Sequence, residues 1–368
     1  MKRLKKFLLD YDLYLLFSLF VLCLMGLLGV YSATYKEGIS PLFYKQLIYM
    51  LTGWFLMLFL SRINFRVLYD LAPTIYFFNL FLVVLVPIFG KSVYGAKRWL
   101  DLGPISLQPS ELFKFSFLLF SVYVLSHAKG LLSKEFLILL FSFAIPSLLT
   151  LKQPDLGTTV IYIFILTLAL FLYGVRLRYF IMAGVLLILL SPLLWKLLKD
   201  YQRARILAAI DPYQDYHGSG YQLIQSIIAV GSGGFFGKGL LGGTQSHLLF
   251  LPEKHTDFIF SVISEEFGFF GSFILISAVF FILYRTIKYA LGMPVGVERM
   301  YVGVFAGLWL FQSFVNLLMT MGWAPVVGIP LPYVSYGGSS IITFSLLFGL
   351  LFSIIKEHRN RPIRFEGG

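Results

Sequence analysis

Apolar runs of about 20 residues recur from one end of this chain to the other, and a helix of that length just crosses a hydrocarbon core about 30 Å thick. Ten runs lie near residues 13–33, 44–60, 71–89, 112–127, 135–151, 158–173, 179–197, 258–284, 301–321 and 339–355. Lipid offers no partner for backbone N–H and C=O groups, so only helices or closed barrels span it, and runs this long mean helices. With 58% hydrophobic and 13% charged residues, the chain falls well below the roughly 25% charge of soluble domains. The expected fold class is an all-α polytopic membrane protein of about ten transmembrane helices, one domain over residues 1–368. Ser32-Ala33 closes the first run with small residues, as in a signal peptide, but nine further runs favour a retained helix.

Basic residues orient the bundle. Lys2, Arg3, Lys5 and Lys6 precede the first run, and Lys356, Arg359, Arg361 and Arg364 follow the last. Alternate connectors carry Arg62 and Arg66, Lys129 and Lys134, Arg176 and Arg178, and Arg285, Lys288 and Arg299. Short cytoplasmic loops collect Lys and Arg while long loops translocate regardless of charge, so both termini are expected inside. The net charge of +12 then reflects this bias and attraction to anionic lipid, and it does not imply nucleic-acid binding. Cys23 is the only cysteine, which excludes an intramolecular disulfide and a cysteine metal site.

This topology puts five polar segments on the outer face: 34–43, 90–110, 152–157, a large loop at 196–257 between the seventh and eighth spans, and 322–338. Ionisable residues at membrane depth cost about 2.5–3.5 kcal/mol or more at a helix centre unless paired or wetted, and here they fall near the outer ends. Glu111 and Lys114 open the fourth span three residues apart on one face, placed for an ion pair; a purely structural bridge is the plain alternative. Asp155 follows Pro154 and suits a helix cap, while an outer carboxylate also suits a divalent cation. At 100° per residue Asp257, Ser261, Ser264 and Glu265 share one face of the eighth span, and Glu266 points nearly opposite Asp257. That stripe predicts a water-filled cavity open to the outside. His255 is a supporting residue at most, since no second His stands at metal-ligand spacing.

The stretch 218–266 is glycine-rich and polar, yet it is no nucleotide loop: Ser232 and Gly239 stand where a phosphate-binding loop ending in Gly237-Lys238 needs Gly and Ser or Thr. Glycines let backbone N–H groups approach a phosphate, and Arg203, Arg205, Lys238 and Lys254 supply cations. A pyrophosphate lipid headgroup suits such a loop; a re-entrant segment packed on the bundle is the bland alternative.

Six blocks of residues together resemble the SEDS family (shape, elongation, division and sporulation). They are Gly95-Ala96-Lys97-Arg98-Trp99-Leu100 with Gln108-Pro109-Ser110-Glu111, Gln153-Pro154-Asp155-Leu156-Gly157-Thr158, Gly218-Ser219-Gly220-Tyr221-Gln222, Gly242-Gly243-Thr244-Gln245-Ser246, Leu251-Pro252-Glu253-Lys254-His255-Thr256-Asp257-Phe258 and Ser335-Tyr336-Gly337-Gly338-Ser339-Ser340. Lys254 and the stretch 325–332 resemble the elongation branch rather than the division branch.

The resemblance implies a peptidoglycan glycosyltransferase of the bacterial cytoplasmic membrane. Such enzymes join lipid II units into β-1,4 glycan strands at the outer face and release undecaprenyl pyrophosphate. It implies Asp257 as the catalytic carboxylate, with Arg98, Lys114 and the loop arginines Arg203 and Arg205 as cations for the leaving group. Glu111, Lys114 and Asp155 match further family positions. A divalent cation, Mg²⁺ or Mn²⁺, is implied, with Asp155 and Asp257 as candidate ligands. The implied partners are lipid II, the nascent glycan strand, a class B penicillin-binding protein and elongation-complex membrane proteins. The alternative is a lipid II flippase, which should instead show polar groups through the membrane, broken helices and internal repeats.

Overall fold

A computed structural model of the chain describes residues 11–35, 38–93, 96–101, 103, 106–214, 218–247 and 250–360. Lys2, Arg3, Lys5, Lys6, Arg361 and Arg364 of the charge pattern, and Gly95 of the first block, lie outside the described residues. The helices are α1 (Leu13–Thr34), α2 (Pro41–Leu60), α3 (Phe65–Asp70), α4 (Ala72–Phe89), α5 (Pro109–His127), α6 (Lys134–Lys152), α7 (Leu156–Tyr173), α8 (Leu177–Leu197), α9 (Asp200–Ile210), α10 (Ser219–Ser232), α11 (Thr244–His247), α12 (Ile259–Gly292), α13 (Val297–Thr320) and α14 (Gly338–Asn360).

Each of the ten apolar runs coincides with a helix. Nine of these, among the described residues, are long and apolar enough to cross a membrane; α5 is the tenth, and the reason lies in its place. It packs among α4, α6, α7, α13 and α14 and is buried on nearly every face, Glu111, Lys114, Ser116 and Ser121 included. A helix shielded by protein tolerates polar residues that a lipid-facing one does not. At the other extreme, the membrane-length part of α8 has no buried residue and presents apolar side chains all round.

Two features depart from the sequence expectations. The 90–110 segment holds a small antiparallel sheet, β1 (Lys91–Val93), β2 (Ala96–Asp101) and β3 (Ser106–Leu107) in that order. The large segment 196–257 is not an open loop: it carries α9, α10 and α11, and α10 packs against α12 and α13. Leu223, Ser226 and Ala229 of α10 are buried.

α12 explains why this segment folds inward. Its 34 residues would measure about 51 Å as an unbroken helix, and its ladder is interrupted at Gly268, where φ is +62° and ψ −156°. The break frees carbonyls that the glycine-rich turn after α10 then takes up. Lys238 N donates to Glu265 O at 3.0 Å and Gly239 N to Glu266 O at 3.0 Å, while Phe269 N donates to Gly234 O at 2.9 Å. A Cβ on Gly237 would strike the Glu266 carbonyl, and one on Gly268 would strike Gly237 N. Gly237 and Gly268 thus serve a close approach of two backbones.

The two ends of the described chain meet: Arg359 Nη1 donates to Tyr11 O at 3.2 Å. Both therefore lie at one end of the bundle, and the blocks containing Arg98, Gln108, Asp155, Asp257 and Tyr336 gather at the other.

Candidate active site

Five elements converge on a recess at that second end. The turn between α6 and α7 supplies Asp155, which caps α7 by accepting from Thr158 N at 3.2 Å and Thr158 Oγ1 at 2.9 Å. Its Oδ2 also accepts from Gln108 Nε2 at 3.2 Å and Ser110 Oγ at 3.4 Å. Asp155 is buried and its oxygens are engaged. Arg98 reaches over from β2 and donates through Nε to Gln153 O at 3.0 Å and through Nη2 to Pro154 O. One guanidinium thus ties the small sheet to the Asp155 turn.

Asp257 precedes α12. Its backbone is pinned, since Asn316 Nδ2 donates to Asp257 O at 2.9 Å and to Ile329 O at 2.8 Å. Its carboxylate is half-buried and forms no hydrogen bond or ion pair among the described residues. Gly328 lies against it with φ +71°, a left-handed conformation that suits glycine. Burial pushes the Asp257 carboxyl up to about 7, helped by the charge of Glu253 and opposed by Arg205 and Arg98. A carboxyl that titrates near neutrality beside two arginines is poised to take a proton from a substrate hydroxyl. Arg205 projects from α9, where burial lowers its pKa and Asp257 acts in the opposite sense. Nearby, His255 O accepts from Tyr336 N at 2.9 Å, and burial lowers the pKa of the imidazole.

Glu111 and Lys114 form the expected ion pair at 2.5 Å, both buried, and Lys114 Nζ also donates to Gln312 Oε1 at 3.2 Å. Gln312 in turn donates to Pro330 O at 3.0 Å. The pair therefore braces the 325–332 stretch that carries Gly328.

The structure separates other predicted residues from Asp257. Arg203 caps the end of α8 by donating to Trp195 O at 3.0 Å and Lys196 O at 2.9 Å. Lys238 pairs with Glu265 at 2.7 Å, and Lys254 donates to Ser246 O. Three of the four loop cations expected to meet a phosphate are thus engaged with the protein; Arg205 is the one that faces Asp257. Nor does the stripe below Asp257 line an open cavity. Ser261 bonds Ser226 Oγ at 2.7 Å, and Glu265 takes six donors from Lys238, Thr244, Gln245 and Ser246. The re-entrant segment covers that face, whereas Glu266 faces away and accepts from Ser32 of α1.

Sequence reasoning missed Gln312 and Asn316, and it named Gln108 and Gly328 only within motif stretches, without a role. Gln312 and Asn316 were detectable as amides four residues apart on one face of an apolar span, where amides bond across helices. No group of three His, Cys, Asp or Glu converges among the described residues, and Asp155 is spoken for. Asp257 is the candidate with uncommitted oxygens. Mg²⁺ needs only one or two protein carboxylates when phosphates supply the rest, so the residues fit an ion carried in by a pyrophosphate and do not form a resident metal cage.

The sequence model of the FtsW/RodA/SpoVE family, described as "Cell cycle protein", matches residues 12–360. The chain is 41% identical over 309 residues to the peptidoglycan glycosyltransferase MrdB of Escherichia coli, covering 83% of each chain. It is 36% identical to the probable peptidoglycan glycosyltransferase FtsW of Shewanella sediminis, covering 97% of this chain and 90% of that one. A chain in a structure of a peptidoglycan synthase complex that coordinates polymerization and crosslinking superposes with a TM-score of 0.82 at 33% identity, covering 95% of this chain and 99% of that one. The rod shape determining protein RodA of Thermus thermophilus superposes with a TM-score of 0.71 at 29% identity, covering 96% and 98%. With nine helices among the described residues long and apolar enough to cross a membrane, its motif blocks and these matches along nearly its whole length, the chain belongs to the FtsW/RodA/SpoVE family of multi-pass membrane proteins.

Proposed function

We propose that this protein polymerises peptidoglycan from lipid II during cell elongation, with Asp257 as general base. The observation that carries this reading is the Asp257 carboxylate: half-buried, without a hydrogen-bond or ion-pair partner among the described residues, raised to about 7 and flanked by Arg98 and Arg205. Asp257 takes the proton from the 4-hydroxyl of the acceptor sugar as that oxygen attacks the anomeric carbon of the donor. The bond to the lipid pyrophosphate breaks, the anomeric carbon inverts, and the pyrophosphate leaves with the bonding electrons. Arg205 and Arg98 stabilise the charge that builds on the leaving group. Glu111 and Lys114 shape the wall of the recess from beneath.

In this reading both termini are cytoplasmic and the Asp257 recess faces outward. That orientation agrees with the shared position of Tyr11 and Arg359 and with the basic residues at that end. The polyprenyl tail lies in lipid along the apolar flank of α8. A divalent cation supplies charge neutralisation on the pyrophosphate it accompanies. A class B penicillin-binding protein crosslinks the product, and other elongation-complex membrane proteins accompany it, in line with the similarity to a synthase-complex chain.

One observation favours the flippase as the second reading: α12 is broken at Gly268, with the Glu265–Lys238 pair beside the break, a feature of transporters. The test is polymerisation of purified lipid II by the protein and its partner transpeptidase with Mg²⁺, using moenomycin to silence contaminating polymerases, alongside lipid II transfer across vesicle membranes. Glycan strands from wild type and none from folded Asp257→Asn support the polymerase. Lipid transfer without strands from any form would favour the flippase.

A further inference from the structure

We infer that the end of the bundle opposite Asp257 carries a binding site for the phosphate of an anionic phospholipid. A cavity of about 450 Å³ lies there between the α2–α3 turn and the last turns of α14, lined among others by Arg62, Arg66, Ser353, Lys356 and Glu357. α14 begins beside the recess, where Gln108 N donates to Ser339 Oγ at 2.8 Å. Its 23 residues then carry the chain about 34 Å away, to the other membrane surface.

The cavity is built rather than incidental. Ser353 Oγ donates to Ile63 O at 2.6 Å and Phe65 N donates to Glu357 Oε1 at 2.8 Å, which lock its two walls together. Ser353 Oγ also lies 3.3 Å from Glu357 Oε1. The single carboxylate is thereby occupied by the protein. Arg62, Arg66 and Lys356 form no ion pair or side-chain hydrogen bond among the described residues. Three uncommitted cations around one cavity attract an anion, and arginine forks match phosphate oxygens.

What lies on the membrane side selects a lipid. Phe55 and Phe59 of α2 stack at 6.1 Å and are 66% and 54% exposed, giving an apolar surface on the last turns of the helix that ends at Leu60, two residues before Arg62. A phosphodiester headgroup in the cavity would leave its acyl chains along that surface. Basic residues placed only to set topology would be scattered; these three converge.

The site is tested on the full-length protein in detergent by native mass spectrometry during titration with phosphatidylglycerol. The variants are Arg62→Gln/Arg66→Gln/Lys356→Gln and a charge-matched Arg176→Gln/Arg178→Gln/Lys288→Gln. Wild type and the charge-matched variant should bind one lipid at the same concentration. The cavity variant should need ~100-fold more, taking about 1 kcal/mol for each cation removed. Arg62→Lys/Arg66→Lys keeps the charge but loses the fork, and should bind more weakly than wild type and more tightly than the neutralised cavity variant. Equal losses in both neutralised triples, or a lysine variant as weak as the neutralised one, would overturn the assignment. So would displacement of the lipid by inorganic phosphate at equal concentration, which would make this a site for soluble phosphate.

Discussion

Two carboxylates eight residues apart, Asp257 in the turn just before α12 and Glu265 within its first turns, are treated in opposite ways by the fold. Glu265 is fully buried and takes six donors, four of them from the backbone and hydroxyls of Thr244 and Ser246. The Asp257 carboxylate has no donor among the described residues, although its own backbone carbonyl is held by Asn316. A saturated carboxylate fastens one segment to another. An unsaturated one, held in place by its main chain, keeps its basicity for a substrate. The difference teaches that the stripe read from the sequence contains one clamp and one reactive group.

The sharpest way to break this contrast is Asp257→Asn, which removes the base and keeps the shape. Polymerisation of lipid II should fall by about 10²–10⁴-fold, the usual range for losing a general base, while the unfolding midpoint shows no loss. Normal strand synthesis by this variant would reduce Asp257 to a residue of the loop.

Glu265→Gln addresses the clamp. It leaves Lys238 without its counter-charge and weakens the hold on α11. A stability loss of about 1–3 kcal/mol is expected from buried donors left poorly satisfied, read as a lower midpoint in thermal unfolding in detergent. The pH dependence of the remaining activity should stay where it is. A shifted pH profile instead would mean that Glu265 takes part in the chemistry.

Arg205→Ala sharpens the reactive half. Activity of the wild type should fall as pH drops through about 7, because Asp257 must be deprotonated to act as a base. Removing Arg205 removes a cation that favours the charged form, so this limb should move to higher pH. The accompanying loss of charge on the leaving-group side should lower kcat/KM about tenfold, near 1.4 kcal/mol. Unchanged pH profiles would separate Arg205 from the recess.

The smallest effect concerns stability. Asp257 has its carboxyl raised from 3.8 to about 7 in the folded protein. The folded state therefore binds more protons than the unfolded state between those values, and stability declines as pH rises across that window. Above pH 7 the ionised group is fully unfavourable to folding. Asp257→Asn should therefore stabilise the protein at pH 8 by of order 1 kcal/mol, discounted because the carboxylate reaches solvent, and should give little gain near pH 4. Thermal unfolding at the two pH values reads this directly.

Much of the architecture was legible in the residues. Ten hydrophobic runs named ten helices because crossing lipid sets both length and composition. The Glu111–Lys114 pair was legible from i,i+3 spacing and Asp155 as a cap from Pro154. The role of 196–257 was not. Gly233, Gly237 and Gly268 lie far enough apart in sequence that nothing local shows they meet, and the break in α12 is a feature of pairing between two segments. Arg203, Lys238 and Lys254 read as free cations because their acceptors are carbonyls and a carboxylate brought in by tertiary folding.

The sequence by itself determined the fold class, the places of the long helices, the motif blocks and the identity of Asp257 as the residue to watch, since each rests on local pattern or on recognisable residues. Only the tertiary structure decided which charged groups are spent on holding the bundle and which remain available. A side chain's partners are set by distance in space, and in a low-dielectric bundle a single ion pair or its absence fixes what a carboxylate can do.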